Sequence, residues 1–201
     1  MPSVFDPGAQ HDQVDYKLIA SLDRIAQALK ALMWESGKAH GLTPIQMQCL
    51  IFLKHHGDEK RRAGQLAKEF DVTPATVSQA IRVLLKKALI EKEPLPDDAR
   101  IQILNLTPKG SKICEQIENW ANALLPHLPP QTSDEKVSAL SFLTGLIEAL
   151  HNAGKISVAR QCTTCRFFRK AEQGAFYCKL LEKDMSASQL RIDCSEHEPA
   201  R

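Results

Sequence analysis

Residues 63–110 read AGQLAKEFDVTPATVSQAIRVLLKKALIEKEPLPDDARIQILNLTPKG and combine two short amphipathic segments, a polar turn between them and a charged alternating segment after them. In each of the two segments the apolar residues recur at spacings of three and four, which predicts helices with one buried face. The first face carries Leu66, Ala67 and Phe70, and the second carries Val77, Ile81, Leu84, Leu85 and Leu89. The order indicates a helix-turn-helix followed by a wing, in which the second helix is the one that enters a DNA major groove.

The second helix has a well-marked start and a small, polar outer face. Thr73 is placed to cap it and Pro74 to occupy its first position, where the missing N–H of proline costs nothing. Small residues allow close approach to a groove, while hydroxyl, amide and guanidinium groups bind base edges or phosphates. We therefore predict DNA contacts from Thr73, Ala75, Thr76, Ser78, Gln79 and Arg82.

The wing is predicted from alternation around Ile101 and Ile103, with Pro96-Asp97-Asp98 as its turn and residues 107–110 as its close. Phosphate contacts are expected from a local excess of basic residues between Glu59 and Lys92. Eight basic residues stand there against four acidic ones: Lys60, Arg61, Arg62, Lys68, Arg82, Lys86, Lys87 and Lys92 against Glu59, Glu69, Asp71 and Glu91.

Helical segments flank this region on both sides. Residues 1–13 lack any period and are interpreted as a flexible arm, and a long apolar stripe predicts one helix over 14–41. Thr43 and Pro44 are expected to start a helix that stops at Gly57, and further helices are predicted over 111–128 and from Ser133 toward Gly154. The segments 14–41 and 111–154 have more apolar surface than a small winged core can cover, so we expect them to form a homodimer.

Composition narrows the class of protein. The chain has 201 residues, 43% of them hydrophobic, and a net charge of only +2, so a nucleic-acid-binding surface has to be local. The sequence shows neither a secretory leader nor an apolar run long enough to span a membrane. We expect a cytoplasmic protein with no membrane partner.

These residues resemble the MarR-type winged helix-turn-helix transcription regulators over residues 14–154. The resemblance rests on LTPIQ at 42–46, LAKEFDVTPATVS at 66–78, LLKKALIEK at 84–92, DDAR at 97–100 and LNLTPKG at 104–110. It implies a mainly α fold, a winged DNA-binding lobe with a helical dimerisation region, and a transcription regulator, more often a repressor, that is not an enzyme. One departure is Ala88, where the family usually has Gly, and we expect it only to tighten a helix end.

The resemblance also implies how DNA is bound. A homodimer would place its two recognition helices in successive major grooves of a pseudo-palindromic operator in double-stranded DNA. The wing arginine, here Arg100, would reach toward the minor groove, and Asp98 would hold its side chain, which agrees with the fit of Arg to a narrow, electronegative groove. A small aromatic or redox effector is a further expectation.

A cysteine-rich extension over 155–201 has no counterpart in that pattern. Its spacing, Cys162-x2-Cys165-x12-Cys178-x15-Cys194, predicts a four-thiolate metal site in a segment too poor in aliphatic residues to form its own core. Zinc is the first choice of cofactor and an iron-sulfur cluster the alternative, with redox-active or unliganded thiols as the remaining possibility. Such a site would be structural or would sense metal or redox state.

Two other functions compete with DNA binding by a regulator. One is a winged-helix module used only for protein contacts. The other, a metalloenzyme built on the cysteines, is disfavoured because four thiolates leave no open position on a tetrahedral ion. The remaining cysteines, Cys49 and Cys114, lie on apolar faces and are expected to be buried structural thiols.

Overall fold

The computed structural model describes residues 2–95, 98–170 and 175–200 and divides into two compact units. The first unit comprises Met1–Lys54, Ala80–Glu91 and Leu106–Leu128, and the second comprises His55–Gln79, Lys92–Asn105 and Pro129–Arg201. The predicted mainly helical winged fold is confirmed. Its helices are α1 Val14–Lys38, α2 Pro44–His55, α3 Ala63–Glu69, α4 Pro74–Lys86, α5 Pro108–Ile117 and α6 Ser133–Asn152.

The wing is a two-stranded sheet of β1 Ile90–Leu95 and β2 Asp98–Leu106. Of its predicted turn, residues 96 and 97 lie outside the described residues, and Asp98 already belongs to β2. The backbone N–H of Leu104 on β2 donates to the Arg61 carbonyl at 2.8 Å, so the second strand of the wing is joined to the segment that precedes α3.

The first unit is built around α2 and the C-terminal half of α4. Close packing begins at Gly37 near the end of α1, where an added Cβ would lie 2.5 Å from the Leu42 carbonyl oxygen. Leu42, Met47, Cys49, Leu50, Leu53, Leu84, Leu89, Cys114 and Ile117 form the fully buried part of this core. Apolar burial of this extent is the main source of the unit's stability.

Two helix assignments and one helix cap differ from the sequence-based expectation. Thr107 and Pro108 do not close the hairpin but begin α5, because the Thr107 hydroxyl accepts from the Gly110 N–H at 3.0 Å and Pro108 takes the first helical position. The predicted helix over 111–128 is divided, since α5 ends at Ile117 and a 3-10 helix, Trp120–His127, follows. α2 starts at Pro44 as expected, but the Thr43 hydroxyl has no partner among the described residues, and the Gln46 side chain accepts from the Thr43 N–H instead.

The second unit combines α3, the first turns of α4, most of the wing, α6 and the cysteine-rich extension. Leu66, Ala67, Val77, Ile103 and Leu104 are its buried apolar residues around the helix-turn-helix. α6 begins with a capping box between Thr132 and Glu135 and ends at Asn152, and Gly154, two residues further on, has a φ of +65° that favours glycine.

The cysteine-rich extension folds into a small sheet of its own. β3 Phe168–Lys170, β4 Phe176–Cys178 and β5 Lys183–Met185 pair in the order β3-β4-β5, antiparallel throughout. Residues 171–174, between β3 and β4, lie outside the described residues. No described helix is both long and apolar enough to cross a membrane.

Candidate functional site

The start of α4 is fixed by its own side chains. The Thr73 hydroxyl accepts from the Thr76 backbone N–H at 3.2 Å and lies 2.9 Å from the Thr76 hydroxyl. Pro74 is the first helical residue, as the sequence predicts. Because Thr73 and Thr76 bind each other, the first turn presents a defined pair of hydroxyl groups to solvent.

The outer face of α4 carries the candidate DNA-contacting residues. Thr73, Ala75, Thr76, Ser78, Gln79 and Arg82 are all exposed. On the opposite side of the helix, Val77, Ala80, Ile81 and Leu84 are buried, with 0 to 4% of their surface exposed. The helix therefore has one apolar face in the protein and one polar face without large side chains, which suits close approach to a groove.

The wing holds an arginine outward. The Asp98 carboxylate accepts two hydrogen bonds from the Arg100 guanidinium, at 3.0 Å from Nε and 3.2 Å from Nη2, and a third from the Arg100 backbone N–H at 3.1 Å. The Arg100 side chain is nonetheless 91% exposed, so the pair orients it without burying it. These hydrogen bonds, the side-chain ones first, lower the pKa of Asp98 below its ordinary value.

Not every basic residue counted in the sequence is available for phosphate contacts. Lys60, Arg61 and Lys87 are only partly exposed, and their side chains bind the Ser195 carbonyl, the Asp58 carboxylate and the His40 carbonyl respectively. Lys68, Arg82, Lys86 and Lys92 are exposed. The basic surface is therefore smaller than the sequence count indicates.

All four cysteines of the extension line one pocket. Cys162, Cys165, Cys178 and Cys194 share it with Phe167, Phe168, Leu180, Leu181, Met185, Arg191 and Glu196. Residues up to 32 positions apart in the chain are thus brought together, which spacing alone could not guarantee. His197 is not part of the pocket lining, and its Nε2 lies 3.0 Å from the Thr164 hydroxyl.

Two of the sulfurs receive hydrogen bonds from one residue. The Arg191 backbone N–H donates to Cys162 Sγ at 3.2 Å, and Arg191 Nη1 lies 3.7 Å from Cys194 Sγ. Burial raises the pKa of Cys162, and the neighbouring cysteines raise it further. Among the described residues, no three His, Cys, Asp or Glu side chains are arranged to hold a metal ion.

Sequence analysis missed a polar network that joins the extension to α3. Arg160 donates to both oxygens of Glu69, with Nη2 to Oε1 at 2.7 Å, and to both oxygens of Asp193, with Nε to Oδ1 at 2.7 Å. Burial works against the charge of Arg160, but the bonds to Glu69 and then Asp193 raise its pKa overall. No local pattern signals these pairs, since Glu69 and Arg160 are 91 residues apart.

The same network extends to residues before and after α3. His56 Nε2 lies 3.3 Å from Asp193 Oδ2, and the Asp71 carboxylate accepts from the Ser157 backbone N–H at 2.9 Å. The hydrogen bond from His56, followed by those from Arg160, holds the pKa of Asp193 well below its usual range. Asp71 belongs to the turn between α3 and α4 and has a left-handed φ of +48°, so the extension contacts the turn itself.

The other two cysteines are buried, as expected. Cys49 and Cys114 expose none of their surface. Burial raises the pKa of Cys49 to about 12 and that of Cys114 to about 11, so both thiols stay protonated at neutral pH.

The amino-acid sequence matches one protein family and a known transcriptional repressor. Residues 40–101 match the model of the MarR family. The HTH-type transcriptional repressor MdtR of Bacillus subtilis is 28% identical over 152 residues, which cover 75% of this chain and 90% of MdtR.

Solved structures extend the likeness of the fold. The crystal structure of the YusO protein from Bacillus subtilis superposes with a TM-score of 0.50 at 27% identity, covering 69% of this chain and 98% of YusO. The S. aureus MepR–DNA complex gives a TM-score of 0.59 at 22% identity, covering 69% of this chain and 96% of MepR, and this likeness is one of fold. Each superposition leaves about a third of the present chain uncovered.

Proposed function

This chain carries a MarR-family winged helix over residues 40–101, and on that premise we propose that it is a homodimeric, sequence-specific DNA-binding repressor of transcription. At the coarser level it is a DNA-binding regulator and not an enzyme, which agrees with the repressor MdtR and with the DNA-bound MepR fold. A protein that binds chromosomal DNA acts in the cytoplasm, and we include that location in the proposal.

The observation that carries the proposal is the pairing of an exposed polar helix face with an oriented wing arginine. Small and hydroxyl-bearing residues on α4 suit the width and the donor and acceptor pattern of a major groove. Arg100, held outward by Asp98, has the charge and planar shape that a narrow minor groove attracts.

The proposal of a homodimer rests on uncovered apolar surface in the terminal helices. Of the 25 residues of α1 only Gly37 is buried, and α6 has no buried residue. Large apolar side chains with 38 to 66% of their surface exposed include Val14, Leu18, Ile19, Ile25 and Trp34 on α1 and Phe142, Leu143 and Leu150 on α6. A second copy covering these faces would remove that surface from water.

Two regulatory features complete the proposal. A small-molecule effector would suit a cavity in the first unit lined by Trp34, Glu35, Lys38, Gly41, Leu42 and Thr43. The four cysteines form a structural or sensing site, and their convergence on one pocket supports a shared metal centre.

A fluorescence anisotropy titration tests DNA binding. Duplexes from the region upstream of the protein's own gene are compared with random duplexes of equal length at fixed salt. We expect a preference of at least about 1,000-fold for a specific site, and we expect Arg82→Ala and Arg100→Ala each to weaken binding by about tenfold or more.

The matched control is Lys170→Ala, which removes one exposed positive charge on β3 of the cysteine-rich extension. We expect it to leave the affinity unchanged within about twofold at 150 mM salt, because exposed charges away from the DNA are screened. Equal affinity of the wild type for all duplexes, or wild-type binding by both arginine variants, would refute the proposed interface.

A further inference from the structure

We propose that residues 157–161 form a strap that holds the helix-turn-helix on α6, and that Arg160 and Gln161 are positioning residues for DNA binding. The strap belongs to the cysteine-rich extension and lies outside residues 40–101, which match the family model. The proposal rests on the proposed DNA-binding function. It assigns to the extension the task of ordering the helix-turn-helix.

Two consecutive side chains of the strap bind two different helices. Arg160 donates to Glu69, the last residue of α3, with Nη2 at 2.7 Å from Oε1. Gln161 Nε2 donates to the Thr144 carbonyl of α6 at 3.0 Å. Both are largely removed from water, since the Arg160 side chain is 11% exposed and Gln161 is 1% exposed. Because these two anchors are neighbours in the chain, the link between α3 and α6 has little slack.

A third contact of the strap reaches the turn before α4. The Ser157 backbone N–H donates to the Asp71 carboxylate at 2.9 Å. Asp71 has a left-handed φ of +48°, a conformation that aspartate tolerates better than most residues but that still costs free energy. The hydrogen bond from Ser157 therefore supports an unfavourable turn two residues before Thr73, the residue that caps α4.

The end of the extension supports the strap and contacts the segment before α3. Asp193 Oδ1 accepts from Arg160 Nε at 2.7 Å, and Asp193 Oδ2 lies 3.3 Å from His56 Nε2. The Ser195 carbonyl accepts from Lys60 Nζ at 2.6 Å. The extension thus binds α3 at its last residue and also binds the chain that leads into its first turn.

Loss of the Arg160 charge would affect the helix-turn-helix more than loss of a surface ion pair. The side chains of Arg160 and Glu69 are only 11% and 17% exposed. Removal of one partner of a buried pair leaves the other charge unpaired and poorly hydrated, whereas exposed pairs contribute little. The end of α3 and the turn after it would then open more often. DNA binding would have to restore that order, which lowers affinity.

Hydrogen exchange of the full-length protein, followed by mass spectrometry, tests whether the strap orders the turn. We expect Arg160→Gln to speed exchange over residues 66–76 by about tenfold and to leave α2 unchanged. The matched control is Arg166→Gln, because Arg166 pairs with Glu198 at 2.9 Å inside the extension and both side chains are about half exposed. It should leave exchange over 66–76 as in the wild type.

A second variant repeats the measurement without leaving a buried charge unpaired. Gln161→Met keeps the length of the side chain but removes the hydrogen bond to Thr144, and it should speed the same exchange. Unchanged exchange over 66–76 in both strap variants, or an equal increase in Arg166→Gln, would overturn the proposal.

Fluorescence anisotropy on the preferred upstream duplex tests the effect on DNA binding. We expect Arg160→Gln and Gln161→Met each to weaken binding by about tenfold, and the double variant by little more, because the strap is lost only once. The slope of log affinity against log salt concentration should stay as in the wild type, since no phosphate contact is removed.

The outcomes separate this proposal from the proposed function. Wild-type affinity of the single variants, a loss of about a hundredfold in the double variant, or a salt slope smaller by about one would overturn the positioning role. If the wild type prefers no upstream duplex to random DNA, the proposed DNA-binding function fails, while hydrogen exchange still decides whether the strap orders the turn.

Discussion

Ala88 has a backbone conformation that is unfavourable for alanine. The backbone after α4 makes the paired hydrogen bonds of a Schellman motif, from the Leu89 N–H to the Leu84 carbonyl at 3.0 Å and from the Ala88 N–H to the Leu85 carbonyl at 2.9 Å. This motif puts Ala88 at a φ of +53°, in the left-handed region that favours glycine. The sequence-based expectation that Ala88 only tightens the helix end was wrong, because the position needs a backbone conformation that a Cβ disfavours.

We expect Ala88→Gly to raise the free energy of unfolding by about 1 kcal/mol, the usual cost of a left-handed non-glycine residue. Urea denaturation at one protein concentration measures it. The control Ala26→Gly lies at an exposed position inside α1 and should lower stability by about 1 kcal/mol. Destabilisation by both substitutions would contradict the assignment of strain to Ala88.

The buried thiols give a prediction that depends on pH. Cys49 and Cys114 keep a proton in the folded chain up to about pH 12 and about pH 11, whereas their ordinary pKa is 9.0. Because the unfolded chain loses these protons first, their contribution to stability is complete below pH 9 and is lost as the pH rises from 9 toward about 11 for Cys114 and about 12 for Cys49.

The same burial should protect both thiols from alkylation. We expect iodoacetamide at pH 8 to leave Cys49 and Cys114 unmodified in native protein and to modify both in urea, as read by peptide mass spectrometry. Rapid modification of either cysteine in the native protein would contradict its burial.

At the scale of the elements, the junction between α4 and α5 is closely packed. Thr107 both accepts from the Gly110 N–H and donates from its hydroxyl to the Ala88 carbonyl at 2.8 Å, so one side chain caps α5 and satisfies the end of α4. A Cβ added to Gly110 would lie 1.8 Å from the Leu89 carbonyl oxygen. This contact requires glycine at position 110, the last residue of LTPKG. That stretch begins α5 and does not close the hairpin.

We expect Gly110→Ala to destabilise the protein by about 3 kcal/mol, since the clash is with backbone that cannot move aside. Gly145→Ala is the matched control, because Gly145 lies inside α6 with no atom within 4 Å of an added Cβ. It should be neutral or stabilising by up to about 1 kcal/mol. Similar unfolding midpoints for the two variants would contradict the packing described for this junction.

The elements that sequence reasoning predicted correctly are those with local signals. Thr73-Pro74 and Ser133 to Glu135 mark the starts of α4 and α6, and the period of three and four marks the buried face of α4. The three-stranded sheet of the extension was not predicted, because its strands are three residues long and are defined by pairing with one another. The network around Arg160 was not predicted for the same reason, since it depends on contacts between distant parts of the chain.

At the scale of the whole molecule, the proposed dimer would cover the exposed apolar side chains of α1 and α6. With a chain mass of 22.4 kDa, we expect sedimentation velocity to show a species of about twice that mass at micromolar concentration. Ile19→Glu combined with Ile25→Glu should shift it to monomer, because both side chains are about half exposed on α1. A monomeric wild type would contradict the proposed dimer. The control is Lys136→Glu, on the exposed surface of α6, which tests whether any added negative charge dissociates the dimer.

In the proposed complex, a two-fold dimer reads DNA with the exposed face of α4 and with Arg100 of the wing. Hydroxyl-radical footprinting of the protein on the upstream duplex that it prefers in the anisotropy titration tests this arrangement. We expect two protected half-sites related by a two-fold axis, with centres about one helical turn apart, and additional minor-groove protection that Arg100→Ala removes. Uniform protection of any sequence, or a single half-site with no symmetry, would contradict it.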